Sequence, residues 1–458
     1  MLVRFSVSNF KSYNERQELI LISDKKKRLN KEHLINIDDV ELLRAAGIFG
    51  ANASGKSNLV EAINFGKFVV LYGIPKDSTR LYFRQNTENR FTDTTFEFEI
   101  YKNGNFYAYG FSLNLFNMEI KSEWVYKLLP NNRQEMIFER ETHTNRFTIS
   151  EDVLKDETDI MRFNTYKLDF EFNKTNLFLQ EMNRLKKINE SSGLHFFVDI
   201  YNWFMEDLRV AMPDQPINPM VVNFDDGVVK RINAIIKNFD TGIEEVITKK
   251  YKLDEFRSIV SDIDFNNIIN TFNVNTSMAP EGSSIRMSFR SKNLIVIISS
   301  LKGKEPEFTT ITLKHRNSSE EFYFNEESDG TKRLFDLLDI LISGEKNKVY
   351  VIDEIERSLH PNLIYQFLEV FFSRLRKYNI QLIFTTHESR ILDQELMRRD
   401  EIWFCEKGID NSTKLYSLDR FNERYDKKID KSYLDGRYGG VPEIKSIVSE
   451  EGEDYWPL

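Results

Sequence analysis

The stretch Gly50-Ala51-Asn52-Ala53-Ser54-Gly55-Lys56-Ser57 constrains this chain more than any other. It fits the pattern G-x-x-x-x-G-K-[ST], in which backbone N–H groups cradle the α- and β-phosphates of a nucleotide. In that pattern Lys56 reaches the β/γ oxygens and the Ser57 hydroxyl holds Mg²⁺. A short motif can match by chance, so its flanks decide. Residues 40–49, before it, are short, apolar and strand-like. After it, Leu59 and Ile63, then Ala62, Phe65 and Val69, recur at helical spacing. Strand, glycine loop and helix in this order predict a nucleotide site. Its binding residues are Gly50, Ala51, Asn52, Ala53, Ser54 and Gly55, with Lys56, Ser57 and Asn58 in the first helical turn.

Far downstream, Val349-Tyr350-Val351-Ile352-Asp353-Glu354 is an apolar buried-strand run ending in two carboxylates. Parallel strands of an α/β sheet present ligands at their carboxyl ends, which would bring both acids to the phosphates. Asp353 at the strand tip suits Mg²⁺ coordination, direct or through water. Glu354 suits accepting a proton from an attacking water. A further strand, residues 381–386, ends at His387, one of only 6 histidines, where a γ-phosphate contact would be useful. Between these segments, Glu326-Glu327-Ser328-Asp329-Gly330-Thr331-Lys332 opens a helical pattern at Leu334. Such a start is either a simple cap, with Ser328 or Asp329 satisfying free N–H groups, or an anion-binding helix end.

Composition narrows the class. With 458 residues, 41% hydrophobic and 29% charged, the chain has room for two or three domains, or one large domain with insertions. A net charge of −9 argues against a surface coated for nucleic acid. Cys405 is the only cysteine, which excludes an intrachain disulfide or cysteine metal cluster and suits a reducing cytoplasm. The first residues lack the pattern of a signal peptide, and no apolar run approaches the roughly 18–20 residues of a membrane span. The expectation is a soluble cytoplasmic chain without a membrane partner.

Taken in order, residues 2–7 and 18–22 read as strands, and residues 25–28 form a basic run suited to a solvated loop. From about 80 to 140 the pattern alternates with period two, and Asn103-Gly104 marks a hairpin turn. Gln85, just before, is either an ordinary loop glutamine or a sensor of Mg²⁺ and γ-phosphate. Residues 150–260 read as mostly helical, without a sustained heptad repeat. Residues 308–313 and 321–324 turn strand-like again. The expected organisation is residues 1–150, a first core part with an antiparallel β subdomain; 151–290, a compact helical insertion; and 291–458, a second core part. The expected fold class is α/β.

Taken together these residues resemble the ABC-type P-loop ATPase heads of the SMC and RecF kind. The order matches: Asn9-Phe10-Lys11-Ser12-Tyr13, the Walker A loop at 50–57, a signature at Ser328-Asp329-Gly330-Thr331, Walker B at 349–354, a D-loop-like Ser358-Leu359-His360-Pro361, and a switch histidine at His387. Asp329 stands where the common signature Leu-Ser-Gly-Gly-Gln has its first glycine. Segments 327–332, 400–407 and 433–442 are also similar to the bacterial AAA_15-type ATPases, a group that includes RloA, the AbiL ATPase and AriA of the PARIS phage-defence system.

The resemblance implies ATP and Mg²⁺ as cofactors and two heads closing head to tail around two ATP molecules. Ser328 and Gly330 of one head would cap the nucleotide held by Lys56 and Ser57 of the other. Glu354, His387 and Lys56 would be catalytic, and Ser57 and Asp353 would hold the metal. It further implies a homo-oligomeric sensor or scaffold that controls a separate, Toprim-like effector nuclease, with a phage-encoded protein as trigger. The stretch after His387 is short for a nuclease domain of about 100 residues and carries no clear Asp-x-Asp motif. The alternative function is a RecF- or SMC-like DNA-repair ATPase that clamps duplex DNA.

Overall fold

The computed structural model describes residues 1–24, 30–131, 133–184, 187–213, 215–217, 226–277, 279–280, 282–291, 293–301, 303–421 and 429–441. The basic run at 25–28 lies outside them. At the centre is a six-stranded sheet in the order Leu208–Ala211, Val349–Ile352, Gln381–Thr385, Ala45–Phe49, Ile402–Lys407, Thr413–Ser417. The first four pairings are parallel and the last is antiparallel.

Apolar side chains cover both faces, as a parallel sheet requires. Period-two alternation sends Val349, Val351, Ala46 and Ile48 to one face, against Val60 and Ile63 of the helix Lys56–Tyr72. Tyr350, Ile352, Ala45 and Phe49 go to the other, against Leu334 and Leu338 of the helix Asp329–Ile342 and Phe367 and Phe371 of the helix Pro361–Arg374. All the parallel strands therefore end at the same edge, where the phosphate loop begins.

The single strand expected over 40–49 is two. Val40–Leu43 pairs with Leu34–Ile37 in a small sheet, and Ala45–Phe49 enters the core. Arg44 makes the break. It is fully buried, and its guanidinium donates to the carbonyls of Leu375, Arg376 and Ile380, just past the C-terminal end of the helix Pro361–Arg374. A cation is favoured at that end of a helix dipole.

Beside the core lies a seven-stranded antiparallel sheet, in the order Arg146–Ile149, Arg133–Glu141, Glu119–Leu129, Asn105–Asn114, Thr94–Lys102, Leu2–Ser8, Gln17–Ile20. The Asn103-Gly104 turn is a hairpin with φ of 48° and 82°, the positive pair a type I′ turn needs. Phe96, Phe98 and Ile100 face inward onto the helix Lys56–Tyr72, while Glu97 and Glu99 face out beside Arg4.

The region expected to be helical does hold the helices Glu157–Phe170, Phe178–Asn183, His195–Asn202, Asp226–Ile236, Leu253–Ile259 and Asp262–Ser277. It also holds strands that the sequence pattern did not reveal. Leu208–Ala211 is the edge strand of the central sheet, and Ile243–Tyr251 and Ser284–Arg290 belong to a five-stranded antiparallel sheet with Ile295–Leu301, Glu307–His315 and Glu321–Tyr323. Among the described residues no helix is long and apolar enough to cross a membrane.

Candidate active site

The phosphate loop leaves the strand Ala45–Phe49 and opens the helix Lys56–Tyr72. Its two glycines are required by crowding. A Cβ on Gly50 would stand 2.5 Å from the Cys405 carbonyl oxygen, and one on Gly55 would stand 2.1 Å from Thr413 Oγ1. Gly55 caps the helix without a side-chain acceptor, so the first N–H groups face outward to an anion. Lys56 is buried, and its ammonium donates to the carbonyls of Gly50 (2.8 Å) and Ala51 (3.0 Å). Burial lowers its pKa.

The two strand-end acids meet this loop. Asp353 is buried, and its Oδ1 accepts hydrogen bonds from Ser57 Oγ (3.2 Å) and Thr385 Oγ1 (2.5 Å). Thr385 Oγ1 in turn accepts from the backbone N–H of Glu354 (2.8 Å). Glu354 has a left-handed backbone, φ 48°, and lines the cleft. His387 Nδ1 lies 3.4 Å from Lys56 Nζ, and the His387 backbone N–H donates to Glu356 Oε1 at 2.6 Å. Partial desolvation, then the Lys56 ammonium, push the His387 imidazole below its usual 6.5.

Around these groups opens a cleft of about 820 Å³. Asn52, Ala53, Ser54, Gly55, Lys56, Ser57 and Asn58 line it together with Glu354 and His387. Gln85 lines it too. Gly50 and Ala51 lie beneath, holding Lys56. Ser328 and Gly330 are elsewhere, at the start of the helix Asp329–Ile342. Ser328 Oγ accepts from Thr331 N–H at 3.1 Å, the cap arrangement, and Gly330 passes so close to Ser358 that a Cβ would stand 2.6 Å from its carbonyl oxygen. Within one chain the signature is not part of the cleft.

The sequence reading passed over several supports. Thr385 bridges the two acids. Tyr13 donates to the Gly55 carbonyl (3.0 Å), Asn58 Nδ2 donates to Ser12 Oγ (2.7 Å), and Thr413 Oγ1 donates to the Ser54 carbonyl (2.8 Å). The Asn9–Tyr13 segment thus braces the loop from behind. Arg333, buried on the signature helix, reaches the carbonyls of Asp353 (3.5 Å) and Glu354 (3.4 Å).

The donor set fits a hard cation. A hydroxyl and one carboxylate already point at each other, and Mg²⁺ is commonly held by one or two carboxylates with phosphate oxygens and water filling the rest. A glycine loop opening a helix from a central parallel strand, facing a strand-end Asp-Glu pair, defines the class of P-loop ATPases. Within that class, residues 45–393 match the family described as "AAA domain, putative AbiEii toxin, Type IV TA system", and the chain belongs to it.

Similar solved structures include an SmcHead bound to the C-winged helix domain of ScpA, at 12% identity and TM-score 0.42, covering 91% of this chain and 97% of that one. The SMC head domain from Thermotoga maritima gives 13%, 0.38, 91% and 98%. The Smc head domain with an extended coiled coil bound to the C-terminal domain of ScpA, from Pyrococcus furiosus, gives 13%, 0.38, 95% and 98%. No curated protein sequence matches the chain.

Proposed function

We propose that the chain hydrolyses ATP at this cleft and that two copies close head to tail to complete each site. The observation that carries the hydrolytic reading is the hydrogen-bonded row Ser57–Asp353–Thr385–Glu354 beside Lys56. Ser57 and Asp353 would hold Mg²⁺, which supplies charge neutralisation to the β- and γ-phosphates. Lys56 exchanges the Gly50 and Ala51 carbonyls for phosphate oxygens. Glu354 orients the attacking water and takes its proton. His387, kept neutral by its surroundings, donates or accepts a hydrogen bond at the γ-phosphate or that water.

Ser328 and Gly330 open a helix whose N-terminus does not line the cleft of its own chain. A second copy would supply one. ATP then acts as the link between copies, and hydrolysis as the release. The family description, which names a putative AbiEii toxin and a type IV TA system, supports placing this switch in anti-phage defence. The likeness of the segments 327–332, 400–407 and 433–442 to AAA_15-type ATPases points the same way. In that setting the oligomer, in the cytoplasm, restrains a separate Toprim-like nuclease until a phage protein triggers it.

The test is Glu354→Gln. It keeps the shape of the site and removes the base, so ATP binding stays within a few-fold of wild type while turnover falls about 100-fold or more. Turnover close to wild type overturns the role of Glu354.

A further inference from the structure

Residues 429–441 line no part of the cleft, yet they lie directly behind the phosphate loop. The segment opens with the short helix Ile429–Leu434 and packs over the strand Ile402–Lys407, which pairs with the loop strand Ala45–Phe49. Tyr433 and Tyr438 both stack on the Phe404 ring of that strand, with centroids 5.5 and 5.7 Å away. Both tyrosines are buried, so the segment is part of the core on that side of the loop.

Three contacts join this segment to the start of the phosphate loop. The Tyr433 ring meets Phe49, the last residue of the loop strand, edge to face at 6.5 Å. Its hydroxyl receives the Gly50 backbone N–H and donates to the Gly440 carbonyl at 3.1 Å. Gly440 in turn passes so near that a Cβ on it would stand 3.5 Å from Gly50 Cα and 3.3 Å from the Cys405 carbonyl oxygen. Burial pushes the Tyr433 phenol up to about 12. Near neutral pH it therefore keeps the proton it gives to Gly440, and its oxygen stays free to accept from Gly50.

Gly50 is held from two sides. Its carbonyl accepts from Lys56 Nζ at 2.8 Å, and its N–H faces Tyr433. Phosphate oxygens draw the Lys56 ammonium away from that carbonyl, and the hold on the amide side remains. A loop whose first residue can tilt presents its N–H groups out of line, and binding loses the benefit of a preformed cradle. We propose that Tyr433 is a positioning residue, whose hydroxyl fixes the Gly50 peptide and so sets the phosphate loop's grip on nucleotide from outside the cleft. The proposal rests on the cleft binding ATP and deepens that reading by making the segment 429–441 part of the binding machinery.

Two tyrosine hydroxyls hold this segment, and comparing them tests the role. Tyr433→Phe keeps the ring and its stacking and removes the hydroxyl. Tyr416→Phe is the reference, because the Tyr416 hydroxyl reaches the Tyr438 carbonyl (2.7 Å) and Glu406 (3.0 Å) but not the phosphate loop. Both variants are expected to melt below the full-length parent by similar amounts. Only Tyr433→Phe is expected to weaken binding of Mg-ATP in equilibrium dialysis, by about five- to tenfold. Its kcat at saturating ATP is expected to stay within about twofold of the parent, since a group behind the loop serves ground state and transition state alike. An affinity within about twofold of the parent overturns the proposal, whatever the melting temperature or turnover. An equal loss of affinity in Tyr416→Phe also overturns it, because the effect is then a general loosening of the segment. A parent that binds no ATP removes the ATP reading itself, and the proposal with it.

Discussion

At Glu354 the backbone is left-handed, φ 48°, a conformation that costs a non-glycine residue roughly 1–3 kcal/mol. Thr385 holds it there, accepting the Glu354 N–H on its hydroxyl while its carbonyl accepts from Ile355 N–H at 3.1 Å. The strain aims the carboxylate into the cleft rather than along the strand. Ala53, φ 62°, shows the same thing inside the phosphate loop. His387 offers a test of the electrostatics at this scale. Desolvation and the adjacent Lys56 charge both oppose its protonation, so an NMR titration of the histidine ring protons, assigned with His387→Asn, is expected to give a midpoint below 6.5. Lys56→Met removes the like charge and moves the midpoint up. A midpoint at or above 6.5 in the native chain, or no upward movement in the variant, contradicts the geometry.

Asp353, Glu354 and His387 were legible because each terminates an apolar run, and strand ends of an α/β sheet converge. Thr385, Tyr13, Ser12 and Thr413 were not. Their roles come from partners far away in sequence, such as Ser54 for Thr413, and a threonine inside a β-strand has an ordinary reason to be there.

Among the elements, the helix Lys56–Tyr72 and the sheet strand Thr94–Lys102 were readable from period alone, and they pack against each other at Gly66. A Cβ at Gly66 would stand 2.8 Å from the Phe98 ring. The helix would gain up to about 1 kcal/mol from Gly→Ala, but overpacking a filled core typically costs about 1–3 kcal/mol. Gly66→Ala is therefore expected to lower the urea unfolding midpoint. An unchanged or higher midpoint would show that the sheet and helix yield easily there. Other elements were hidden. Leu208–Ala211 is four residues long, with Arg209 in the middle and helices before it, and only its parallel pairing with Val349–Ile352 makes it a strand. The strand Ser284–Arg290 follows a long helix and mixes serine, arginine and methionine, a pattern with no clear alternation. Its Arg290 is fixed by Asp336 and Asp339 on the signature helix, a contact that no local pattern predicts.

For the whole molecule, the parallel strands converge the loop, Asp353, Glu354 and His387 on one cleft, while Ser328 and Gly330 stand on a separate helix end. That separation underlies the proposal that the phosphate loop is half a site. Residues 45–393 carry the family match, yet the sheet order also needs strands after residue 393, since Ile402–Lys407 pairs directly with the loop strand. The direct test is the mass of the Glu354→Gln chain by sedimentation velocity, with and without ATP, and again with Ser328→Arg added. The account predicts a single 54.2 kDa chain without nucleotide, a dimer with ATP, and a monomer that still binds ATP when Ser328 is replaced. The same mass with and without ATP, or an ATP-dependent dimer indifferent to Ser328→Arg, would contradict it.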